Sequence, residues 1–324
     1  MKFLFTASIA ALVGLVAATP TPTVNLDGQV YKRASAGDKC DIGYASTNGG
    51  TTGGAGGTTT TVSSFAEFST AAKGDAKKII IVSGNLSGTG SVKIGANTSV
   101  LGKAGASITG INLTIKSVKN VIVRNLKLSK VVGGDCITVQ KATNVWLDHL
   151  DISGDLSASK DYYDGLLDIT HAADWVTVSN THFHDHWKAS LVGHSDSNAA
   201  EDTGTLHVTY ANNKWTNISS RTPSIRFGTG HIYNNYFDTI TTSGVNTRMG
   251  AIVLVESSTF VNAKRAITSI DSDITGKAAV KDVNLGGSTN DAPSGSLSVP
   301  YAYSVVGSAS AKSATSNSGA TLSF

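Results

Sequence analysis

A short phrase that returns six times along the chain constrains its fold more than any other feature. Each copy is an alternating apolar strand, then Asn or a polar substitute, then a large apolar residue three positions on. The pairs are Asn125/Leu128, His149/Ile152, Asn180/Phe183, Asn212/Trp215, Asn234/Phe237 and Ser257/Phe260, with first members 24, 31, 32, 22 and 23 residues apart. The spacing describes a unit of roughly 23 residues with insertions in two turns. A unit of two or three short strands and no helix cannot bury its own apolar face, so units must stack. Asn at a fixed place suits a corner, because it tolerates the left-handed backbone region and stacked amides hydrogen-bond from coil to coil. The dense Leu spacing of leucine-rich repeats is missing, and a β-sandwich would give short strands without this phrase. The expected fold is all-β, a parallel β-helix in which coils stack into a solenoid.

A solenoid exposes core at both ends and needs caps. Ser63 and Ser64 precede Phe65, Ala66, Glu67, Phe68, Ala71 and Ala72, which predicts a capped short helix closing the N-terminal end. The Gly/Thr-rich stretch 49–57 before it reads as a loop. The Ser- and Ala-rich residues at the C-terminus are expected to cover the other end or to be partly mobile.

At the N-terminus, Lys2 is followed by an apolar run from Phe3 to Val16 that closes on small residues, the pattern of a signal peptide over 1–18. The chain is therefore expected to be secreted and extracellular. Residues 19–33 end in the dibasic pair Lys32–Arg33 and read either as a pro-segment or as a linker, leaving 34–324 as one domain. No later stretch is apolar for long enough to span a bilayer, and a net charge of +3 is too mild to imply nucleic acid. Cys40 and Cys136 are the only cysteines, so packing and backbone hydrogen bonds must stabilise the fold whether or not the two pair. Asn85, Asn97, Asn112 and Asn217 each open a glycosylation triplet.

The two long intervals between repeats are where polar residues crowd. Asp135, with Asp164 and Asp168 four residues apart, forms an acidic group; on an extended strand the latter two would share a face, and Asp135 would join them from the preceding coil. Such an oxygen-rich group suits a hard cation, Ca²⁺ above all. The alternative is three solvated loop carboxylates. Lys188 and, one repeat later, Arg221 and Arg226 form a basic group suited to gripping carboxylates, against the plainer reading of a charged edge. His182, His184 and His186 alternate along one strand and share a face at period two, which raises a zinc site against an ordinary polar strand face. Trp146 and Trp215 sit at repeat positions and read as stacking or core residues, leaving Trp187 as the better substrate contact.

Taken together, Gly49–Gly57 with the following helix, Val145-Trp146-Leu147-Asp148-His149 and Arg221-x-Pro223-x-x-Arg226 resemble the signatures of the extracellular pectate lyase family, across most of the mature chain. The resemblance implies a right-handed, three-sheet parallel β-helix. It also implies a calcium-dependent polysaccharide lyase acting on polygalacturonate, the de-esterified pectin of plant cell walls. Asp135, Asp164 and Asp168 fall on calcium-ligand positions, Lys188, Arg226 and Arg248 on substrate-binding positions, and Arg221 on the catalytic base. Gly133 stands where some relatives carry a further calcium-binding Asp.

In such a chain the C5 proton lies α to the C6 carboxylate, and the glycosidic oxygen on C4 lies β to it. Cations around the carboxylate stabilise the charge that develops when the proton leaves. A guanidinium ordinarily keeps its proton, so a base role for Arg221 relies on neighbouring Lys188, Arg226 and Ca²⁺ to disfavour one more positive charge, and implies an alkaline optimum. The paired-carboxylate motifs of β-helical hydrolases are missing. A pectin lyase on methyl-esterified chains and a noncatalytic polysaccharide-binding β-helix are the alternatives, and nothing suggests an oligomer, so a monomer is expected.

Overall fold

In the computed structural model, residues 23–24 and 30–324 are described, with side chains from Arg33 onward. The expected signal peptide, 1–18, lies outside them. The chain winds into a parallel β-helix of about 10 turns, its strands stacking as three faces. One face runs through Lys78–Val82, Thr98–Gly102, Lys119–Arg124, Thr143–Asp148, Asp174–Ser179, His207–Ala211 and Thr229–Tyr233. A second runs through Lys127–Ser129, Asp151–Ser153, His182–Lys188, Lys214–Ser220 and Tyr236–Ile240. The third, which carries the site, runs through Ile137–Gln140, Leu167–Thr170, Ser190–Val192, Ser224–Arg226 and Val245–Arg248. All these pairings are parallel, so each strand buries one alternating set of side chains inside the coil.

The repeated phrase is the corner between the first and second faces. Asn125, His149, Asn180, Asn212, Asn234 and Ser257 all have positive φ, between 48 and 58°. Their apolar partners lie inside the solenoid, where Phe183, Trp215, Phe237 and Phe260 stack with ring centroids 4.1, 5.9 and 4.1 Å apart in succession. The internal polar ladder sits one residue beyond the corner. Asn213 Oδ1 accepts from the Thr181 amide at 2.8 Å, and Asn235 Oδ1 from the Asn213 amide at 3.0 Å. The amide stacking expected of the corner residues is thus carried chiefly by their neighbours, with Asn234 to Asn212 at 3.1 Å as a corner example.

The helix Phe65–Ala71 forms as expected, capped by Ser64 Oγ on the Glu67 amide, with Phe68 buried in the core. The C-terminal residues do something else. They run back along the corner instead of covering the last coil: Gly307 donates to Ser257 Oγ, Val306 to Asn234 Oδ1, Gly319 to the Asn180 carbonyl and Leu322 to Asn125 Oδ1. Corner side chains have groups that sequential strands leave free, and the tail satisfies them. Lys32 and Arg33 pair with Leu322 and Ser323, which makes the dibasic pair part of a strand. Cys40 and Cys136 are unpaired, the first packed outside the solenoid beside Trp146 and the second inside it; burial pushes each thiol up to about 12.

Candidate active site

Two inserted loops frame the third face, one before Leu167–Thr170 and one after Ser190–Val192. The first loop meets the preceding coil through an antiparallel bridge between Val132 and Tyr163 and a 2.9 Å bond from the Gly133 amide to the Tyr162 carbonyl. That bridge brings Asp135 and Asp164 together. Asp168 stands on Leu167–Thr170 beside Thr138 of the coil below. Asp164 lies in the loop, not on the strand, so the expected i, i+4 alternation does not position it; the loop does.

The carboxylates crowd one another. Asp135 Oδ1 is buried without a hydrogen-bond partner among the described residues. Burial first, and then the nearby Asp164 charge, push the Asp135 carboxyl up to about 6. Asp168 is driven well above the usual carboxylate range by burial and by Asp135. Between them, a Cβ on residue 165 would lie 2.6 Å from Asp135 Oδ1 and 3.1 Å from Asp168 Oδ1, so only glycine leaves these oxygens room. Two crowded, partly desolvated carboxylate oxygens, one of them unpartnered, fit a hard divalent cation that neutralises them.

Three of the four cations are already paired. Lys188 Nζ donates to Asp161 at 2.7 Å and Asp164 at 2.9 Å; these bonds outweigh its burial and hold it above its ordinary range. The Arg226 guanidinium donates through Nε to Asp196 and through Nη1 to the Gly193 carbonyl at 2.9 Å. Arg248 Nη2 reaches the same Asp196 carboxylate at 3.1 and 3.2 Å, and burial, then Arg226, pull Arg248 below its ordinary value. Arg221 differs. It sits in the corner before Ser224–Arg226 with φ at 65°, its carbonyl accepting from the Ser190 amide at 2.8 Å, and its guanidinium makes no hydrogen bond among the described residues. Its charge is felt by Asp135, Asp168 and Lys188, which places it at the meeting point of both groups.

Asp161 and Asp196 were missed from sequence. The signal was present, since both fall in the long intervals where polar residues crowd, and Asp196 lies one coil before Arg226. Trp187 is half-buried and donates Nε1 to the Ala158 carbonyl at 2.9 Å, so its polar edge holds the inserted loop. Val145–His149 lies on the first face and its corner: buried Asp148 accepts from Arg124, Ser179 and Asn180 and pairs with His149, a structural hub away from the site. The three histidines do not share a face. Asp185 takes φ of 53°, which breaks the alternation, and His186 turns inward above Ile218 while His182 and His184 stack outside at 4.4 Å.

A family model described as pectate lyase matches residues 1–323. The chain belongs to the pectate lyase family. It is similar to pectate lyase B of Colletotrichum gloeosporioides, 57% identical over 301 residues covering 91% of this chain and 90% of that protein. It is also similar to a pectate lyase of Emericella nidulans, 52% identical over 297 residues and covering 90% and 91%. Among solved structures it resembles a Bacillus sp. N165 pectate lyase in complex with trigalacturonate, with TM-score 0.79, 30% identity, and coverage of 86% of this chain and 98% of that one. The expected fold class and enzyme class, a polysaccharide lyase, are borne out by these matches. No helix among the described residues is long and apolar enough to cross a membrane.

Proposed function

We propose that the chain cleaves de-esterified galacturonan by calcium-dependent β-elimination, with Arg221 taking the C5 proton. The observation that carries this reading is Arg221, the one cation of the site whose side chain makes no hydrogen bond among the described residues, set beside a crowded carboxylate group. Asp135, Asp164 and Asp168 would hold Ca²⁺, which when bound neutralises the substrate carboxylate and so acidifies C5.

The chain's own residues supply the rest. Asp161, Asp164 and Asp196 orient Lys188, Arg226 and Arg248, whose remaining N–H donors are offered to substrate carboxylates. Arg221 accepts the C5 proton as the C4–O bond breaks; the electron pair of C5–H becomes the C4–C5 double bond, and the leaving oxygen takes a proton from solvent. The base role relies on bound Ca²⁺ with neighbouring Lys188 and Arg226 to disfavour a further positive charge, and alkaline medium assists it.

Ultraviolet absorbance of the unsaturated product tests the reading on polygalacturonate and on methylated pectin, with and without EDTA. Signal that requires Ca²⁺ and prefers the unesterified chain is expected. Arg221→Lys should lower turnover by about a hundredfold or more while substrate binding persists; near-normal rates would remove Arg221 as base. We further propose that the protein is a secreted monomer, cut after residue 18, and a glycoprotein, Asn85 and Asn217 being the exposed acceptors among the four triplets. The native mass, the denatured mass and the N-terminus of protein recovered from culture medium check these assignments.

A further inference from the structure

On the second face, away from the carboxylates of the third, Asp151, His182 and His184 each offer one ligand atom, and these atoms lie within 4.8 Å of one another. Asp151 and His182 are cross-strand partners in adjacent coils, and His184 follows two positions along the same strand. All three are half-buried and none belongs to the lyase machinery. We propose that they form a binding site for a divalent transition-metal ion of the Zn²⁺ class, separate from the calcium site.

The outer hydrogen bonds support this arrangement. An imidazole ligand ordinarily has its second nitrogen fixed by a carboxylate or another polar group, which sets the ring's orientation. Both rings are fixed in that way. His184 Nδ1 pairs with Asp185 Oδ2 at 2.7 Å, leaving Nε2 toward Asp151 Oδ1 at 3.1 Å. His182 Nε2 pairs with Thr216 Oγ1 at 2.8 Å, leaving Nδ1 toward Asp151 Oδ2 at 4.0 Å. Asp185 is itself held by Asn217 Nδ2 at 2.6 Å. The two free nitrogens therefore converge on one carboxylate, with their other sides anchored on neighbouring strands.

Two imidazoles and one carboxylate select a borderline metal over Ca²⁺, which takes oxygen ligands. Three protein ligands leave a further position for water, as open zinc sites do. The C-terminal tail walls one side: a Cβ on residue 319 would make ordinary van der Waals contact, 3.6 Å from both Asp151 Oδ2 and His182 Cβ. Lys127 and Lys214 are the cross-strand neighbours of Asp151 and His182 on this face and oppose a cation, which limits the affinity. The competing account is a plain ion-paired clamp, with His184 held between Asp151 and Asp185.

Titration of the full chain with ZnCl₂ in excess CaCl₂ separates the two, read by calorimetry, by thermal shift and, with Co²⁺ as probe, by visible absorption. One saturable site is expected, with Co²⁺ bands typical of low coordination. His182→Gln and Asp151→Asn should each weaken Zn²⁺ binding at least tenfold, and Asp185→Asn by about tenfold. Lys214→Ala, which removes an opposing charge and no ligand, should tighten it severalfold, so the proposal stays testable if a ligand variant folds poorly. Absence of a saturable site, or binding unchanged in His182→Gln and Asp151→Asn, would overturn the proposal and leave the clamp.

Discussion

Asp135→Asn should make the metal-free protein more stable while removing its response to calcium. In the structure Asp135 Oδ1 is buried and unpartnered, and its carboxyl is pushed up from 3.8 to about 6 by burial and by Asp164. A shift of that size corresponds to about 3 kcal/mol between the two protonation states at neutral pH. Asp135 is only half-buried, and screening by water reduces the expected gain to about 1–2 kcal/mol. Asn keeps the shape and the approach to Thr138 Oγ1, now 3.3 Å from the carboxylate, and carries no charge. For a domain of this size, a gain of 1–2 kcal/mol raises Tm by about 2–4 °C.

The pH dependence has a definite sign. A carboxyl whose folded pKa is raised favours the fold when protonated, so its contribution is intact below the ordinary 3.8 and is lost as pH rises through about 6. Wild type and variant should therefore melt together near pH 4, after allowance for acid effects common to both, and diverge above pH 6 in favour of the variant. Thermal unfolding in EDTA and in CaCl₂ across that range is the assay. Wild type should gain Tm with calcium and Asp135→Asn should gain little. A variant that melts below wild type in EDTA at alkaline pH would refute the crowding argument; an undiminished calcium response would refute the ligand assignment.

Asp196→Ala should raise KM about tenfold with a smaller change in kcat, because Arg226 and Arg248 lose the carboxylate that holds them together; steady-state kinetics on polygalacturonate decide this, and an unchanged KM would contradict it. Gly133→Asp should strengthen calcium binding severalfold by calorimetry, since φ of 67° is tolerated by Asp and a Cβ there meets open space. Phe237→Ala interrupts the internal stack between Trp215 and Phe260 and should cost about 3–5 kcal/mol, read by denaturant unfolding.

The solenoid was legible because its signal is local and repeated. Asn125, Asn180, Asn212 and Asn234 announce left-handed corners by residue type alone, and the large residue three places on must point inward. What failed depended on a single backbone departure or a long-range contact. One positive φ at Asp185 turned His186 into the coil, and no alternation rule contains that. The C-terminal tail lies along the corner because Ser257, Asn234 and Asn125 offer side-chain groups that nothing local satisfies, a partnership spanning 197 residues for Asn125 and Leu322. The acidic group was found by composition, yet a bridge between loops assembles it rather than strand alternation.

The site's charges show the same division. Arg221 and Arg226 share one hexapeptide, and composition cannot distinguish a proton acceptor from a substrate clamp. The fold separates them by their neighbours. Arg226 lies on a strand, where the loop of the previous coil can set Asp196 against it; Arg221 lies in the corner, where no carboxylate hydrogen-bonds to it among the described residues. A paired guanidinium is held for binding, because its partner carboxylate orients it. An unpaired one keeps its face available to substrate. On the proposed reading Arg221 serves as base because it is left unpaired, and placing a carboxylate within reach of it should cost turnover before it costs stability.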